Sequence, residues 1–260
     1  MKFDISFIGA GNMGSALLSA AAKTGKTVAV FDVNEEKAKA LAALHGAVFA
    51  EAEEIAANSR VVFLAVKPNI IEGVCKNLSA LFTAETLLVT MAAGKTLAEI
   101  SAAAGTEKVI RIMPNTPAAV GKGLTVYCPG PGVTAEDEAL FLEAMAHAGI
   151  TDKIDEAKID AAMALSGCGP AYVYQFAEAL ADGAVACGLP RDKANVYAAA
   201  TLAGAAEMLL QSGKHPGELK DAVCSPGGTT IAGVLALENA AFRGSVSNAV
   251  IAAYEKTKKL

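Results

Sequence analysis

The segment Gly9-Ala10-Gly11-Asn12-Met13-Gly14 fits the pattern G-x-G-x-x-G. Its flanks give it meaning. The apolar run Ile5-Ser6-Phe7-Ile8 leads into it, and Met13 to Ala22 follows with helical character. In that setting Gly9 permits a tight turn, Gly11 lets backbone approach a pyrophosphate, and Gly14 lets helix pack on strand. The helix start adds N–H donors and positive potential. The segment, with Asn12 and Met13 inside it, predicts a dinucleotide site; the alternative is a strand–helix turn without a ligand. Asp32 ends the next apolar run, Val28 to Phe31, about twenty residues further on. A carboxylate there accepts from the adenosine ribose hydroxyls of NAD(H) and repels the 2′-phosphate of NADP(H). No arginine lies near it in sequence, and Lys37 and Lys39 are the closest cations. The competing role for Asp32 is to cap the following turn.

Further candidates sit where strands are expected to end, which is where open parallel sheets bind ligands. Ala65-Val66-Lys67-Pro68 and Met91-Ala92-Ala93-Gly94 offer small residues for close approach, and Lys67 can pair with a phosphate, a carboxylate or only water. Pro114-Asn115-Thr116-Pro117, after Met113, forms a stiff loop whose polar side chains can reach a nicotinamide ribose or carboxamide, or simply make the turn. A tuned proton donor is missing. His45, His147 and His215 are scattered, and Lys220 and Tyr172 lack the neighbours of an activated acid. An imine substrate makes sense of this, because its nitrogen takes a proton before hydride arrives and positioning replaces strong acid catalysis. The densest unusual segment is Leu219 to Ile231, in which Ser225-Pro226-Gly227-Gly228 precedes Thr229 and Thr230. Free N–H groups at that helix start, with the hydroxyls, can cradle a carboxylate; the alternative is a Gly-Gly turn with a Thr cap. Ser166-Gly167-Cys168-Gly169-Pro170 is a second tight helix entry.

Strands and helices must position these residues. Strands are expected at Val61–Val66, Leu87–Thr90, Val109–Met113 and Leu124–Tyr127. Helices are expected near 52–58, 70–81, 97–104 and 135–147, and from the Asn34 cap to Gly46. That alternation predicts a parallel sheet covered on both faces. After about Lys158 Ala-rich helical patterns take over: Pro170–Cys187, Arg191–Gln211, Pro216–Val223, and Thr229 almost to the end. The fold class is therefore α/β: residues 1–157 form a Rossmann domain with a doubly wound, mostly parallel sheet, and 158–260 an all-α domain for dimerisation and substrate binding. So many small residues leave each helix little bulk to bury alone, which predicts an obligate homo-oligomer over a monomeric helical cap.

Composition narrows the class. The chain is 53% hydrophobic and 19% charged with net charge −5, which excludes intrinsic disorder and argues against nucleic acid as a partner. Five cysteines without paired spacing read as free thiols of a reducing cytoplasm, and no His or Cys spacing suggests a metal site. Ile5 to Ala22 imitates a signal peptide, but the glycine loop interrupts it, and no other segment suits a bilayer.

Taken in order, Gly9 to Gly14, Ala65-Val66-Lys67-Pro68, Met113-Pro114-Asn115-Thr116-Pro117, Ser166-Gly167-x-Gly169-Pro170-Ala171-Tyr172 and Lys220-Asp221-x-Val223-x-Ser225-Pro226-Gly227-Gly228-x-Thr230-Ile231 resemble a bacterial pyrroline-5-carboxylate reductase over essentially the whole chain. The resemblance implies reduction of 1-pyrroline-5-carboxylate to L-proline, the last step of proline biosynthesis, in interlocked homodimers that often assemble into a decamer. It implies that Ser225, Gly227, Gly228 and Thr229 surround the substrate carboxylate while Thr230 bonds the ring nitrogen. It further implies that Ala65–Pro68, Ala92–Gly94 and Met113–Thr116 line the cofactor. The family generally uses NADPH and carries a neutral or hydroxyl-bearing segment where this chain has Asp32, so NADP(H) follows from the resemblance and NAD(H) from Asp32. Two rivals are a β-hydroxyacid dehydrogenase or ketopantoate reductase and an inert dinucleotide binder. The first would need a catalytic lysine followed by Asn four residues on, which is not seen. The second has little reason to keep Ser225 to Thr230.

Overall fold

Runs rich in Val, Ile, Leu and Phe become strands buried on both faces, and the mixed stretches between them become the covering helices. The computed structural model describes residues 1–259. β1 (Phe3–Ile8), α1 (Asn12–Ala22), β2 (Val28–Phe31), α2 (Glu35–His45), β3 (Val48–Phe49), α3 (Ala52–Asn58) and β4 (Ser59–Leu64) form the first half. The second half is α4 (Ile71–Leu78), β5 (Leu87–Thr90), α5 (Leu97–Ala104), β6 (Val109–Met113), β7 (Gly123–Pro129), α6 (Ala135–Met145) and β8 (Gly149–Lys153). The eight strands lie in the order β3-β2-β1-β4-β5-β6-β7-β8, and every neighbouring pair is parallel except β6 and β7. The doubly wound, mostly parallel sheet is thus present, and the strand order reverses between β1 and β4.

Local chemistry explains the boundaries. The Asn34 side chain accepts the Lys37 N–H at 3.0 Å, and α2 ends at Gly46 in the left-handed region. Thr134 and Asp137 form a reciprocal capping box at α6. β3 and β8 are additions to the sequence reading: β3 is two residues long, and β8 mixes Ile150 with Thr151, Asp152 and Lys153 because it is an edge strand. β7 runs against β6 because residues 114–122 are too short for a parallel crossover, which needs about a dozen residues or more.

Side chains alternate between two cores. Phe7, Val61, Phe63, Val89 and Ile112 pack with Leu17, Leu18 and Phe141 on one face, where Phe7 and Phe63 stack at 4.7 Å. Ile8, Val62, Leu64 and Leu88 pack with Ile55, Ile71, Leu97 and Ile100 on the other.

Beyond the sheet come α7 (Ile159–Ala162), a π-helical turn at Met163–Gly167, α8 (Gly169–Ala186), α9 (Arg191–Ser212), α10 (Pro216–Ala222), α11 (Thr229–Asn239) and α12 (Phe242–Thr257). By contacts the chain divides into two compact units, residues 1–168 with 253–260, and residues 169–252. In the second unit Ala181, Ala194 and Ala198 are buried hydrophobics, whereas Tyr174, Val196, Tyr197, Met208, Leu210 and Leu235 stand more than half exposed. The single helix expected from Thr229 onward is two helices. Ala241 takes a left-handed φ of 55° between them, and neither Gly nor Pro marks the break.

An L-residue in that conformation costs about 1–2 kcal/mol, against which glycine loses more chain entropy on folding. Ala241→Gly is expected to raise the urea unfolding free energy by up to about 1 kcal/mol. A lower unfolding midpoint would show that Ala241 carries no strain.

Candidate active site

The glycine loop after β1 is held by backbone contact. A Cβ on Gly9, whose φ is 110°, would stand 2.4 Å from the Ala65 carbonyl oxygen, and one on Gly14 would stand 2.4 Å from the carbonyl oxygen of Gly9. Loop, helix start and the end of β4 therefore touch without room for a methyl group. Gly11 differs. Its φ of −65° suits any residue, and a Cβ there would meet nothing within 4 Å. No packing contact within the protein requires glycine at that position, and the space beside it is open. α1 has no side-chain cap, which leaves its first N–H groups to receive one.

Gly11 opens onto a cleft of about 730 Å³ that also includes Gly9, Asp32, Ala65, Val66 and Lys67. Its outer wall was not anticipated: Val33, Glu51, Ala52, Glu53, Ile70 and Val74 contribute to it. Three carboxylates and one lysine line the cleft, and no arginine does. The Asp32 carboxylate is anchored at both oxygens, one accepting the Ala10 N–H at 2.7 Å and the other the Asn34 N–H at 2.9 Å. Asp32 thus does cap its own turn, as the competing role required. It also lines the cleft, so capping the turn does not remove it from the lining.

The remaining cofactor candidates follow at other strand ends. Asn12 and Met13 open α1, and Pro68 is exposed beyond β4. Ala92, Ala93 and Gly94 follow β5, passing from buried to exposed. Met113 ends β6, Pro114 and Asn115 are buried after it, and Thr116 begins a 3₁₀ turn. These last two groups lie outside the lining of the cleft. The Asn115 side chain is committed to the protein: its oxygen accepts the Leu124 N–H at 2.9 Å, and its nitrogen donates to the Ser166 carbonyl at 3.0 Å. Its backbone carbonyl also accepts the Ala118 N–H at 3.1 Å.

In the second unit, Gly228 donates its N–H to the Ser225 carbonyl at 3.0 Å, closing a turn through Gly227, whose φ is 68°. A Cβ on Gly228 would stand 2.5 Å from the Ser225 hydroxyl, so that hydroxyl lies over the helix entry. Thr229 and Thr230 form the exposed first turn of α11, which has no side-chain cap. The N-terminus of an eleven-residue helix, three hydroxyl residues and a glycine turn together offer an anion several donors. Nearby Lys220 pairs with Asp221 at 2.7 Å, and that carboxylate pushes its pKa up, so the ammonium is no poised proton donor. The Tyr172 hydroxyl donates to the Ala249 carbonyl at 3.4 Å.

A cleft at the reversal point of a doubly wound sheet, with a helical unit whose α11 entry offers donors to an anion, fits a two-domain nicotinamide-dependent reductase. Residues 156–260 match the family described as pyrroline-5-carboxylate reductase dimerisation, and residues 4–94 that described as NADP oxidoreductase, coenzyme F420-dependent. The chain is 43% identical to the pyrroline-5-carboxylate reductase of Pisum sativum, covering 100% of this chain and 96% of the relative. It is 42% identical to that of Escherichia coli, covering 100% and 99%. Among solved structures, the pyrroline-5-carboxylate reductase of Coxiella burnetii superposes with a TM-score of 0.90 at 31% identity, over 100% of this chain and 98% of that one. The Plasmodium falciparum pyrroline carboxylate reductase, solved with NADP bound, gives 0.88 at 33% identity over the same shares. The chain belongs to the pyrroline-5-carboxylate reductase family.

The glycines separate packing from binding. Gly11→Ala is expected to leave the urea midpoint in place and to weaken binding of the reduced nicotinamide dinucleotide at least about tenfold, as read by nicotinamide fluorescence. Gly14→Ala is expected to cost more than about 1 kcal/mol of stability. A stability loss at Gly11 with intact binding would contradict the assignment.

Proposed function

We infer that this chain reduces 1-pyrroline-5-carboxylate to L-proline by hydride transfer from a reduced nicotinamide dinucleotide, the last step of proline biosynthesis. The observation that carries the reading is the pairing, in one chain of this family, of the open space at Gly11 with the uncapped α11 entry behind Ser225-Pro226-Gly227-Gly228. Residues 1–157 are the dinucleotide domain in this reading, and 158–260 the substrate and dimerisation domain.

The proposed roles follow from each residue's chemistry. The α1 N-terminus and Gly9, Gly11, Asn12, Met13 and Gly14 hold the pyrophosphate, while Ala65–Pro68 flank it. Ala92–Gly94 and Met113–Thr116 bound the nicotinamide end. Ser225, Gly227, Gly228 and Thr229 take the substrate carboxylate at the α11 N-terminus. Thr230 bonds the ring nitrogen and relays its proton, fixing the C=N carbon for attack. When bound, the dihydronicotinamide supplies the hydride. No histidine or free lysine is needed, because a protonated imine is already electrophilic.

We assign NADH as the preferred cofactor. Asp32 is anchored just after β2, where a carboxylate would favour ribose hydroxyls over a 2′-phosphate, and the lining holds no arginine to receive that phosphate. The exposed apolar side chains of residues 169–252 favour a homodimer built through that unit, with higher assembly up to a decamer as in the family resemblance. Five free cysteines fit the reducing cytoplasm as its location.

Thr230→Val keeps the β-branched shape and removes one hydrogen bond at the reacting centre. It is expected to lower kcat by about 1.5–3 kcal/mol in activation free energy with cofactor affinity unchanged, and near-normal turnover would reduce Thr230 to a structural role. The native enzyme should oxidise NADH with pyrroline-5-carboxylate and not with a 2-keto acid; faster turnover of the keto acid would overturn the substrate assignment. Asp32→Ser is expected to raise the NADPH-to-NADH ratio of kcat/KM roughly ten- to a hundredfold. It should also lower both values, since serine is too short to serve Ala10 and Asn34 together. An unchanged ratio would leave Asp32 as a turn cap only.

A further inference from the structure

β3, β2 and β1 are parallel neighbours, so the residues just past their C-terminal ends stand in a row along one sheet edge, at strand spacings of roughly 4.8 Å. The glycine loop follows β1, Asp32 follows β2 and Glu51 follows β3, and all three line the same cleft. The Ala50 N–H donates to the Val30 carbonyl at 3.2 Å, which places Glu51 one residue beyond the last tie to β2. In the cofactor reading above, a dinucleotide with its pyrophosphate on the loop and its adenosine ribose at Asp32 would have its 2′ position on the side of the β3 end. Lys67, the cation of the lining, follows β4 on the opposite side of β1.

The two carboxylates are not equivalent. Asp32 spends its oxygens on two backbone donors. Glu51 precedes α3 without making a capping bond to it, and among the described residues its side chain has neither a hydrogen bond nor an ion pair. Its charge is left unneutralised at the place where a 2′-phosphate would bring close to two more negative charges.

We propose that Glu51 is a second specificity-determining residue, which excludes the 2′-phosphate independently of Asp32. The proposal rests on the reading of this cleft as the cofactor site. It implies that changing Asp32 alone converts cofactor preference only in part, because the outer strand end still repels.

The test is titration of NADH and NADPH, followed by nicotinamide fluorescence, into the full-length native enzyme, Glu51→Gln, Asp32→Ser and the double variant, at low and high salt. Glu51→Gln is expected to raise NADPH affinity relative to NADH by roughly three- to tenfold, a gain that shrinks at high salt. The double variant should exceed either single one. If Glu51→Gln moves both nucleotides equally or neither, while Asp32→Ser shifts the ratio, the proposal is overturned and the cofactor reading above stands. If Asp32→Ser also leaves the ratio unchanged, both fall together. A salt-insensitive gain at Glu51→Gln would equally contradict a charge-based exclusion.

Discussion

At the centre of the sheet two backbone carbonyls meet glycines with no space for a side chain. The Ala65 oxygen faces Gly9, and the Gly9 oxygen faces Gly14. This contact sets where α1 begins relative to the ends of β1 and β4, the pair at which the strand order reverses. A cleft opens there because helices leave toward opposite faces of the sheet on either side of it. The Asp32 carboxylate ties the same loop to the β2 end through Ala10. The loop is thus gripped from two sides, and only Gly11 faces unoccupied space. Pre-organisation of this kind would let backbone N–H groups receive a pyrophosphate, as proposed, with little further ordering of the loop.

A second set of polar contacts holds the chain as it leaves the sheet. Arg111 of β6 is buried and meets Glu156 and Asp160, each at 3.1 Å, while Glu156 also accepts the Leu97 N–H at 2.7 Å. A few residues further on, Asn115 grips the Ser166 carbonyl. Burying a guanidinium is tolerable only with such partners, so the cluster fixes one path for residues 156–166 along β6. The π-helical turn follows within that path, where the extra residue per turn needs outside support. β6 and the loop that follows it are in this way tied to the segment at residues 156–166.

What was legible in the sequence follows from how local each determinant is. Glycine loop, Asn34 and Thr134 caps, and the Ser-Pro-Gly-Gly turn each act within a few residues, so their types and spacing suffice. β3 is too short to show a pattern, and the hydrophobic alternation of β8 is blunted by its edge position. The break at Ala241 has no composition signal, because alanine there adopts a conformation it does not favour. In the cleft, the inner wall could be read and the outer wall could not. Ile70 and Val74 carry the spacing of an ordinary core-facing helix, and Glu51 and Glu53 look like acids at a helix start. Only the order of the strands brings them beside Asp32.

The chemistry asks little of acid groups and much of placement. In the proposed reading, hydride reaches the C=N carbon while N–H and hydroxyl donors at the α11 entry hold the carboxylate and the Thr230 hydroxyl oxygen accepts the iminium N–H; Lys220 is paired with Asp221. The most direct measurement is therefore isotopic: turnover of 1-pyrroline-5-carboxylate with NADH deuterated at both C4 positions, followed by mass spectrometry of the product. Proline carrying one deuterium, on the carbon that belonged to the C=N bond, is the predicted result. Deuterium-free proline, or oxidation of the cofactor without proline, would contradict direct hydride transfer in this protein.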